Sequence, residues 1–327
     1  MHISVRILTV AAGLMAAGAC LAQTAAPVAG YPNRPVRLVI PFAPGGTNDV
    51  IGRIAAEKLS ERFGQPFVVD NRGGANSVVG SEIVARADPD GHTLLIVMTS
   101  YAINPSLRKK LPYDTERDFA PVGLVGGTPL VMVIHPSVPA ETVNEFIAWV
   151  KSRPGQMNYA SVGTGSPSHL SAELFRIAAG IDIVHVPYKG GSAILPDLIA
   201  GRVSVFFGSI STLGPHMKSG KLRGIAVTTV KRARAMPELP TFIESGLAGY
   251  EVNGWYGLLA PGRTPRVIVS RLNQELQQVL ADANTLKRFA QIGVDPLPGT
   301  AAEFAVLIRR EIAKWAKVVR AAGILPE

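Results

Sequence analysis

The fold is decided by the segment Val36-Arg37-Leu38-Val39-Ile40-Pro41-Phe42-Ala43-Pro44-Gly45-Gly46-Thr47-Asn48-Asp49. Its first part, residues 36–42, is an apolar, β-branched run of strand length that Pro44 and Gly45 end. Beyond the glycines, apolar residues recur at helical spacing from Val50 to Leu59. The segment therefore predicts a buried strand that leads through a loop into a helix, which is the repeating unit of α/β proteins.

The loop in this segment has the features of an anion-binding site. Gly45 and Gly46 lack a Cβ, so the backbone can adopt positive φ and approach a ligand closely. Thr47, Asn48 or Asp49 can cap the helix. The N–H groups at a helix start and the helix dipole favour a carboxylate or phosphate. An ordinary glycine-containing turn has the same pattern and is the alternative for this loop considered alone.

Residues 1–22 have the features of a secretory signal peptide. A short polar start precedes an apolar run from Ile7 to Ala19, and Cys20-Leu21-Ala22 offers small residues for cleavage. A transmembrane anchor is less favoured, because a span needs roughly 20 apolar residues. Lipoprotein processing at Cys20 is a second alternative, disfavoured because Ala17 stands where a branched apolar residue is expected. We therefore expect an exported protein that begins at Gln23.

Composition limits the chemistry of this mature chain. Cys20 is the single cysteine of the sequence, so cleavage after Ala22 excludes disulfides, a thiol nucleophile and thiolate metal sites. The net charge of +9 falls to +8 with the loss of Arg6 and still attracts anions. The basic residues are scattered and not interleaved with aromatic residues, so no nucleic-acid partner is predicted. A small anionic ligand fits this balance.

Strand and helix patterns alternate along the chain, which indicates an α/β fold with mainly parallel sheets. Strands are predicted at residues 67–70, 93–98, 130–134, 158–161, 183–187, 203–207 and 223–228. Helices are predicted at residues 77–87, 142–153, 169–179, 193–200, 265–282 and 301–321, whereas the segment from Asn104 to Asp114 is expected to be a loop. The length of 327 residues suggests two domains. Crossing strands at 130–134 and 249–259 divide the chain into 23–129 plus 250–327 and 130–249.

The strand, glycine loop and helix pattern returns in the second predicted domain. The loop Gly163-Thr164-Gly165-Ser166-Pro167-Ser168 separates a strand from a helix, with Ser166 suited to the N-cap and Pro167 to the first helical position. A second anion-binding helix start is therefore predicted. In the first domain, Thr99-Ser100-Tyr101 follows the third strand, at the sheet edge where open α/β folds bind ligands.

Catalytic and cofactor sites find no support in the sequence. Ser166, Ser168 and His169 are neighbours, but consecutive helical residues point to different faces and no G-x-S-x-G elbow occurs. His169 is expected to hydrogen-bond locally or to face the cleft. The histidines follow no metal-ligand spacing, and neither a P-loop nor a G-x-G-x-x-G follows the first strand. The sequence thus predicts no metal, no cofactor and no enzyme, and it favours a solute receptor.

An ordered set of motifs resembles one family. The motifs are Tyr31-Pro32-Asn33-Arg34-Pro35-Val36, Pro44-Gly45-Gly46-Thr47-Asn48-Asp49, Val69-Asp70-Asn71-Arg72-Gly73-Gly74-Ala75, Asp88-Pro89-Asp90-Gly91-His92-Thr93-Leu94, Leu111-Pro112-Tyr113-Asp114, Gly163-Thr164-Gly165-Ser166, Pro187-Tyr188-Lys189-Gly190 and Gly220-Lys221-Leu222-Arg223. Together they are similar to the Bug (TctC-like) family of periplasmic substrate-binding proteins of tripartite tricarboxylate transporters. The resemblance spans about residues 30–325.

This resemblance implies an α/β, type II periplasmic-binding-protein fold, whose two lobes are joined by crossing strands as a hinge and close on one small carboxylate. Backbone amides and hydroxyls of two loops would hold the proximal carboxylate. The implied ligand-binding residues of these loops are Phe42, Pro44, Gly45, Gly46, Thr47, Asn48, Ser161, Gly163, Thr164, Gly165, Ser166 and His169. The far end of the ligand would meet Ser100, Tyr101, Tyr188, Gly208 and Ser209, with Asp197 as a further candidate. Asp49 is expected to cap the helix, because its carboxylate would repel an anion.

One departure from the family bears on the ligand. Gly208-Ser209 stands where similar members often carry aspartate or asparagine, so no acidic partner for an α-ammonium group is supplied. The predicted function is delivery of a small organic carboxylate, such as a dicarboxylate, a tricarboxylate or an aromatic acid, to the membrane permease by a monomeric receptor. A subunit that presents the carboxylate to a sensor kinase would have the same cleft and stays the alternative.

Overall fold

The computed structural model describes residues 30–188 and 190–326, and the predicted signal peptide with Cys20 lies outside them. Within the described residues, the strands are β1 (Val36–Ile40), β2 (Phe67–Asn71), β3 (Thr93–Met98), β4 (Phe119–Ile134), β5 (Met157–Ser161), β6 (Ile183–Pro187), β7 (Val205–Ser209), β8 (Arg223–Val227), β9 (Asn253–Pro261) and β10 (Asp295–Pro296). The helices are α1 (Thr47–Phe63), α2 (Val78–Ala85), α3 (Ser100–Leu107), α4 (Val143–Lys151), α5 (Pro167–Ala179), α6 (Gly191–Ile199), α7 (Ile210–Lys218), α8 (Arg266–Ala281), α9 (Ala283–Gln291) and α10 (Ala301–Ala321). A short 3₁₀ turn, Ala75–Ser77, precedes α2.

The strands form a mixed sheet in the order β2-β1-β3-β9-β4-β7-β5-β6, with β10 and β8 also paired to β4. At one end, β1 lies parallel between β2 and β3. At the other end, β5 lies parallel between β6 and β7. The antiparallel strands β9 and β4 connect these two sets. Parallel strands end at the same edge, so the loops after β1, β2 and β3 lie together, as do those after β5, β6 and β7. The predicted α/β fold is confirmed.

The strand β4 begins at Phe119 and is therefore longer than the strand predicted at residues 130–134. Pro121, Gly123 and Gly126 disguise its first part, since these residue types weaken strands. Two shifts of register against β9 accommodate them. The first part of β4 pairs with β9 and β10, and its last five residues pair with β7 and β8. The partners change where the domain boundary is predicted, and the division into 23–129 plus 250–327 and 130–249 stays a prediction.

The helices α3, α7 and α9 lie where the sequence pattern predicts no helix. In α3 the expectation of a loop is wrong, although Pro105 lies inside the helix and removes one N–H donor. Ala102 and Ile103 are fully buried in the core cluster that also contains Phe304 of α10. Tertiary packing thus outweighs the local preference against helix in this segment.

The C-terminal helix α10 is confirmed with its predicted bounds of 301–321. A capping box begins it, in which the Thr300 hydroxyl accepts the N–H of Glu303 and the Glu303 carboxylate accepts the N–H of Thr300. On the face of α10 that packs on the core, Phe304 and Trp315 are inaccessible to solvent. This helix packs against α3, β4 and α5 and so contacts elements from both ends of the sheet.

Candidate ligand-binding site

The first loop, residues 42–48, leads from β1 into α1. Gly45 has a φ of +89°, a backbone conformation that glycine adopts without strain. Gly46 is the N-cap of α1, and its carbonyl accepts hydrogen bonds from the N–H groups of Asp49 and Val50 at 2.9 and 3.1 Å. No atom lies within 4 Å of the position that a Cβ on Gly46 would take. The loop is therefore open beside Gly46, and the first N–H groups of α1 have no acceptor within the helix.

Side chains of this first loop differ in their access to solvent. Pro44, Gly45, Gly46 and Thr47 are exposed. Asn48 is buried, and its amide nitrogen lies 3.0 Å from the sulfur atom of Met98, with which it forms a hydrogen bond. Phe42 is half-buried. The exposed residues are those at which a ligand can reach the helix start.

The carboxylate of Asp49 holds the first loop in place. It accepts hydrogen bonds from the N–H of Gly45 at 3.0 Å and from Arg53 Nε at 2.9 Å. Its other oxygen accepts the Asn71 amide at 2.9 Å, and the same amide donates to the carbonyl of Phe42 at 3.1 Å. The hydrogen bond from Arg53 is the main cause that lowers the pKa of Asp49 to about 2. Asp49 thus supports the loop with a charge that its own partners satisfy. The expectation that Asp49 caps the helix is wrong, because Gly46 is the N-cap and no side-chain cap hydrogen bond is formed.

The second loop, residues 161–166, leads from β5 into α5. Gly163 and Gly165 both have positive φ, of +126° and +74°. Ser166 is the N-cap of α5, as the sequence predicts; its Oγ accepts the N–H of His169 at 3.3 Å and donates to the carbonyl of Gly163 at 2.6 Å. A proline occupies the first helical position, also as predicted. One serine side chain therefore caps the helix and fixes the turn before it.

Two stacked imidazoles lie directly behind the second loop. The rings of His169 and His185 are 3.9 Å apart at an interplanar angle of 17°, and Tyr159 stacks on His185 at 5.0 Å. The N–H of Gly165 donates to His169 Nδ1 at 3.0 Å, and His185 Nε2 lies 2.6 Å from Ser161 Oγ. Burial, followed by the charge of a protonated His185, lowers the pKa of His169 to about 4. Burial also lowers the pKa of His185. Both rings are therefore neutral at pH 7.

A cavity of about 310 Å³ lies between the second loop and the elements that follow β2 and β3. Its lining includes Asn76, Asn104 and Arg108 on one side and Gly163, Thr164 and Ser166 on the other. The first loop follows β1, which lies between β2 and β3, so it borders the same sheet edge. The cavity thus lies at the carboxyl edges of both parallel sets.

The wall of this cavity that follows β2 is not predicted by the sequence pattern. Ala75, Asn76 and Ser77 have φ values of +47°, +53° and +79°. Asn104 stabilises this unusual backbone, because its amide donates to the Asn76 carbonyl at 2.8 Å and to Ser77 Oγ at 3.2 Å. The preceding Gly73-Gly74 pair, which repeats the glycine and helix pattern, is the sequence feature that could have indicated it.

Ser100 and Tyr101 begin α3, and the structure corrects the expectation for Tyr101. Ser100 is buried, with its hydroxyl 3.4 Å from Ser77 Oγ at the cavity edge of the sheet. The side chain of Tyr101 instead lies in the core, packs edge-on against Phe119 and donates to the carbonyl of Thr115 at 2.5 Å. Because adjacent helical residues point to different faces, only one of the pair can face the sheet edge. The prediction of a ligand contact is wrong for the Tyr101 side chain.

The remaining predicted ligand contacts, Tyr188, Gly208 and Ser209, lie in or beside the second parallel set and contact other residues of the protein. The hydroxyl of Tyr188 donates to Asp197 Oδ2 at 2.9 Å. Ser209 is the N-cap of α7, where its Oγ accepts the N–H of Thr212 at 3.4 Å. Gly208 lies in β7, and a Cβ there would approach the ring of Phe206 to 2.5 Å. A larger residue at position 208 is therefore disfavoured by packing, independently of any ligand.

The donor groups near the cavity suit an oxygen-rich anion. They are backbone N–H groups, hydroxyls and side-chain amides, together with the Arg108 guanidinium in the cavity wall. Among residues 30–188 and 190–326, no three metal-ligating side chains are grouped closely enough to hold an ion. In the same part of the chain, the helices are too short or too polar to span a bilayer.

Two sets of parallel strands are joined by β4 and β9, and each set presents loops to one cavity. This is the architecture of two-lobed solute-binding proteins with the type II periplasmic-binding-protein fold. Residues 51–324 match the model of the tripartite tricarboxylate transporter family receptor. The chain belongs to this family of Bug (TctC-like) receptors, as its motifs predict.

Individual relatives agree with this assignment. BugT of Bordetella pertussis is 36% identical over 306 residues, which cover 92% of this chain and 94% of BugT. The structure of Rpa4515 of R. palustris with adipate matches with a TM-score of 0.77 and 36% identity, covering 91% of this chain and 100% of that one. MatC (Rpa3494) of Rhodopseudomonas palustris with bound malate matches with a TM-score of 0.73 and 31% identity, covering 88% and 99%.

Proposed function

We propose that this protein is a periplasmic receptor that binds a small dicarboxylate between its lobes and delivers it to the permease of a tripartite tricarboxylate transporter. The observation that carries the proposal is the pair of glycine-containing loops, one from each parallel set, at the carboxyl edges of their strands. The second loop lines the cavity there, and Asn76 and Asn104 line it from the first set. Relatives with adipate and with malate support a ligand that bears two carboxylates.

The physical basis of binding is the pair of helix starts. Each start has the positive end of a helix dipole, which attracts a carboxylate. First-turn N–H groups add hydrogen-bond donors, although in α5 Pro167 has no N–H and Ser166 Oγ already accepts that of His169. Charge-assisted hydrogen bonds of this kind are stronger than neutral ones, and they strengthen further when the cleft excludes water. The net positive charge of the chain favours the encounter with an anion.

Closure around the ligand is proposed to occur between the predicted domains, 23–129 plus 250–327 and 130–249. The strands β4 and β9 would act as the hinge, because they connect the two parallel sets. Glycines and a proline interrupt β4 between the two sets, at Gly126, Gly127 and Pro129. The glycines lower the stiffness of the strand and the proline lacks an N–H for the ladder, which suits a small change in backbone angles.

The test is a thermal-shift and calorimetry panel on the chain that begins at Gln23, unfolded and refolded to remove co-purified ligand. A dicarboxylate at 100 times its dissociation constant should add about 2.7 kcal/mol to the free energy of unfolding. Adipate and malate are the first probes, with citrate, aspartate, benzoate and adipamide for comparison. Adipamide retains the chain length of adipate and lacks its charge, so a carboxylate site should reject it.

Stabilisation by one or more dicarboxylates and not by adipamide is the expected result. Equal stabilisation by adipamide would contradict an anion site, and no response to any acid would contradict the receptor function. Delivery to a permease is tested separately, by uptake of labelled ligand into vesicles that contain the permease, with and without the receptor. Uptake that is independent of the receptor would leave binding intact and refute delivery.

A further inference from the structure

We propose that His169 and His185 are positioning residues that hold the second loop in its ligand-binding shape by hydrogen-bonding to its two ends, and not by contacting the ligand. The proposal rests on the proposed function, in which the second loop is the contribution of one lobe to the carboxylate site. It gives His169, a candidate ligand contact in the sequence analysis, a different role.

The geometry fixes the loop at both ends. Ser161, at the beginning, has its hydroxyl 2.6 Å from His185 Nε2 and accepts the N–H of Gly163 at 3.1 Å. Gly165, at the end, donates its N–H to His169 Nδ1 at 3.0 Å. Because the two rings are stacked at 3.9 Å, a movement of either end would displace both imidazoles. The backbone between Ser161 and Gly165, which lines the cavity, is therefore held from behind.

The hydrogen bond from Gly165 defines the protonation state that the loop requires. An N–H donor needs an unprotonated Nδ1 as its acceptor, so the neutral His169 ring carries its proton on Nε2. His169 is only 4% exposed, so water cannot replace the imidazole as an acceptor for Gly165. Protonation of Nδ1 would place two donors opposite each other and break this end of the support.

The charged and titratable groups around the rings act on an imidazolium in opposite directions. From α5, Glu173 faces His169, but its carboxylate already accepts Arg176 at 2.8 and 2.9 Å and the Tyr159 hydroxyl of β5 at 2.6 Å. Arg176 and the stacked His185 of β6 both oppose a positive charge on His169. Burial outweighs the attraction of Glu173 for a positive charge, so both rings are neutral at neutral pH and the loop keeps its support.

The variants that test this role keep or remove the atom that accepts the Gly165 N–H. His169→Asn places Oδ1 where Nδ1 stands and keeps an acceptor that cannot be protonated in this range. His169→Leu removes the acceptor, and His216→Asn, in α7 and outside both loops, is the matched control. Adipate, or malate if adipate does not bind, is titrated calorimetrically into each variant at pH 7, 5, 4 and 3.5.

At pH 7 we expect His169→Leu to bind about tenfold more weakly, because a buried N–H loses its acceptor. His169→Asn should stay within about threefold of the parent, and the control should be unchanged. The affinity of the parent relative to His169→Asn should fall about twofold near pH 4 and further below it, where Nδ1 is protonated. Protonation of the ligand itself is common to both proteins and cancels in this ratio.

If the affinity of the parent relative to His169→Asn rises as the pH falls, an imidazolium attracts the ligand directly. If this affinity ratio stays constant, His169 has no part in the site. Either result would overturn the proposal. A second measurement needs no ligand. In the ¹⁵N NMR spectrum at pH 7, Nδ1 of His169 should be unprotonated and Nε2 protonated, and the opposite tautomer would overturn the support of Gly165. Failure of every acid to bind the parent, with this tautomer present, would instead refute the proposed function.

Discussion

The two loops share one sequence pattern and are supported in opposite ways. The first loop is held by a charge, because the Asp49 carboxylate accepts Gly45 and pairs with Arg53. The second loop is held by neutral groups, the Ser166 hydroxyl and the His169 imidazole. A glycine pair between strand and helix therefore specifies a helix start that can receive an anion, and the side chains that follow decide how it is kept in shape.

The loops also differ in the space around their glycines. A Cβ on Gly46 would meet nothing within 4 Å, whereas a Cβ on Gly165 would run into the Leu107 side chain of α3. Gly165 moreover has a φ of +74°, while Gly46 has a φ of −80° that any residue can adopt. Stability and ligand binding should therefore be separable in the first loop and coupled in the second.

The largest effect is expected from Gly165→Val. A β-branched residue at positive φ is strained, and its side chain must displace Leu107, so the free energy of unfolding should fall by about 3 kcal/mol or more. Ligand affinity should be lost together with stability. Urea unfolding measures the first quantity, and calorimetry with the identified dicarboxylate measures the second.

Gly46→Val is the matched variant of the first loop. Valine fits the extended backbone at the N-cap, so stability should stay within about 1 kcal/mol of the parent, the cost of a poorer N-cap. Its side chain would stand over the helix start and should weaken binding at least about tenfold. Equal losses of stability in the two variants would show that the loops do not differ as proposed.

Asp49→Asn should have the second largest effect on the free energy of unfolding. It measures how much the charge of the Asp49 carboxylate stabilises the first loop. With a pKa of about 2 in the folded protein and about 4 in the unfolded chain, the carboxylate should contribute about 2 kcal/mol at pH 7. The folded-state pKa is the lower one, so this stability is present above about pH 4 and is lost as the pH falls toward 2. Urea unfolding of the parent and of Asp49→Asn from pH 7 to pH 2.5 measures the difference.

The stability contributed by the second loop should depend on pH in a different range. The pKa of His169 is also lowered on folding, from about 6.5 to about 4, so its contribution is present above about pH 6.5 and is lost toward pH 4.

Asp88→Asn, at an exposed position outside both loops, is the control for Asp49→Asn. A difference between parent and Asp49→Asn that is unchanged at pH 2.5 would contradict the role of the charge.

The parts of the molecule that follow from local pattern could be predicted from sequence. The strand and helix around each glycine loop, the Ser166 cap and the bounds of α10 depend on residues close together in the chain, and the structure confirms them. The first part of β4 and helix α3 depend on distant packing partners, which outweigh the prolines and glycines within them. No local pattern contains that information.

The candidate site shows the same limit. Both loops were predicted from their glycines, but the rings behind the second loop come from His169 and His185 on different elements, and only the pairing of β5 with β6 brings them together. The cavity wall at Asn76 cannot be predicted in this way, because three successive positive φ angles in non-glycine residues have no reliable sequence pattern. For Tyr101, the sequence indicates a position at the edge of the sheet but not the direction of the side chain, which lies in the core.

The smallest expected effect tests whether the cap of the second loop serves the helix alone. Ser166→Ala removes the side-chain cap of α5 and the bond to the Gly163 carbonyl, and should lower the free energy of unfolding by about 1–2 kcal/mol. Thr142→Ala removes the capping box of α4, outside the cavity, and should cost about 1 kcal/mol. If Ser166 also shapes the loop, its variant should bind ligand several-fold more weakly, whereas Thr142→Ala should bind as the parent does. Equal affinities in both variants would limit Ser166 to helix capping and leave the imidazole pair as the support of the second loop.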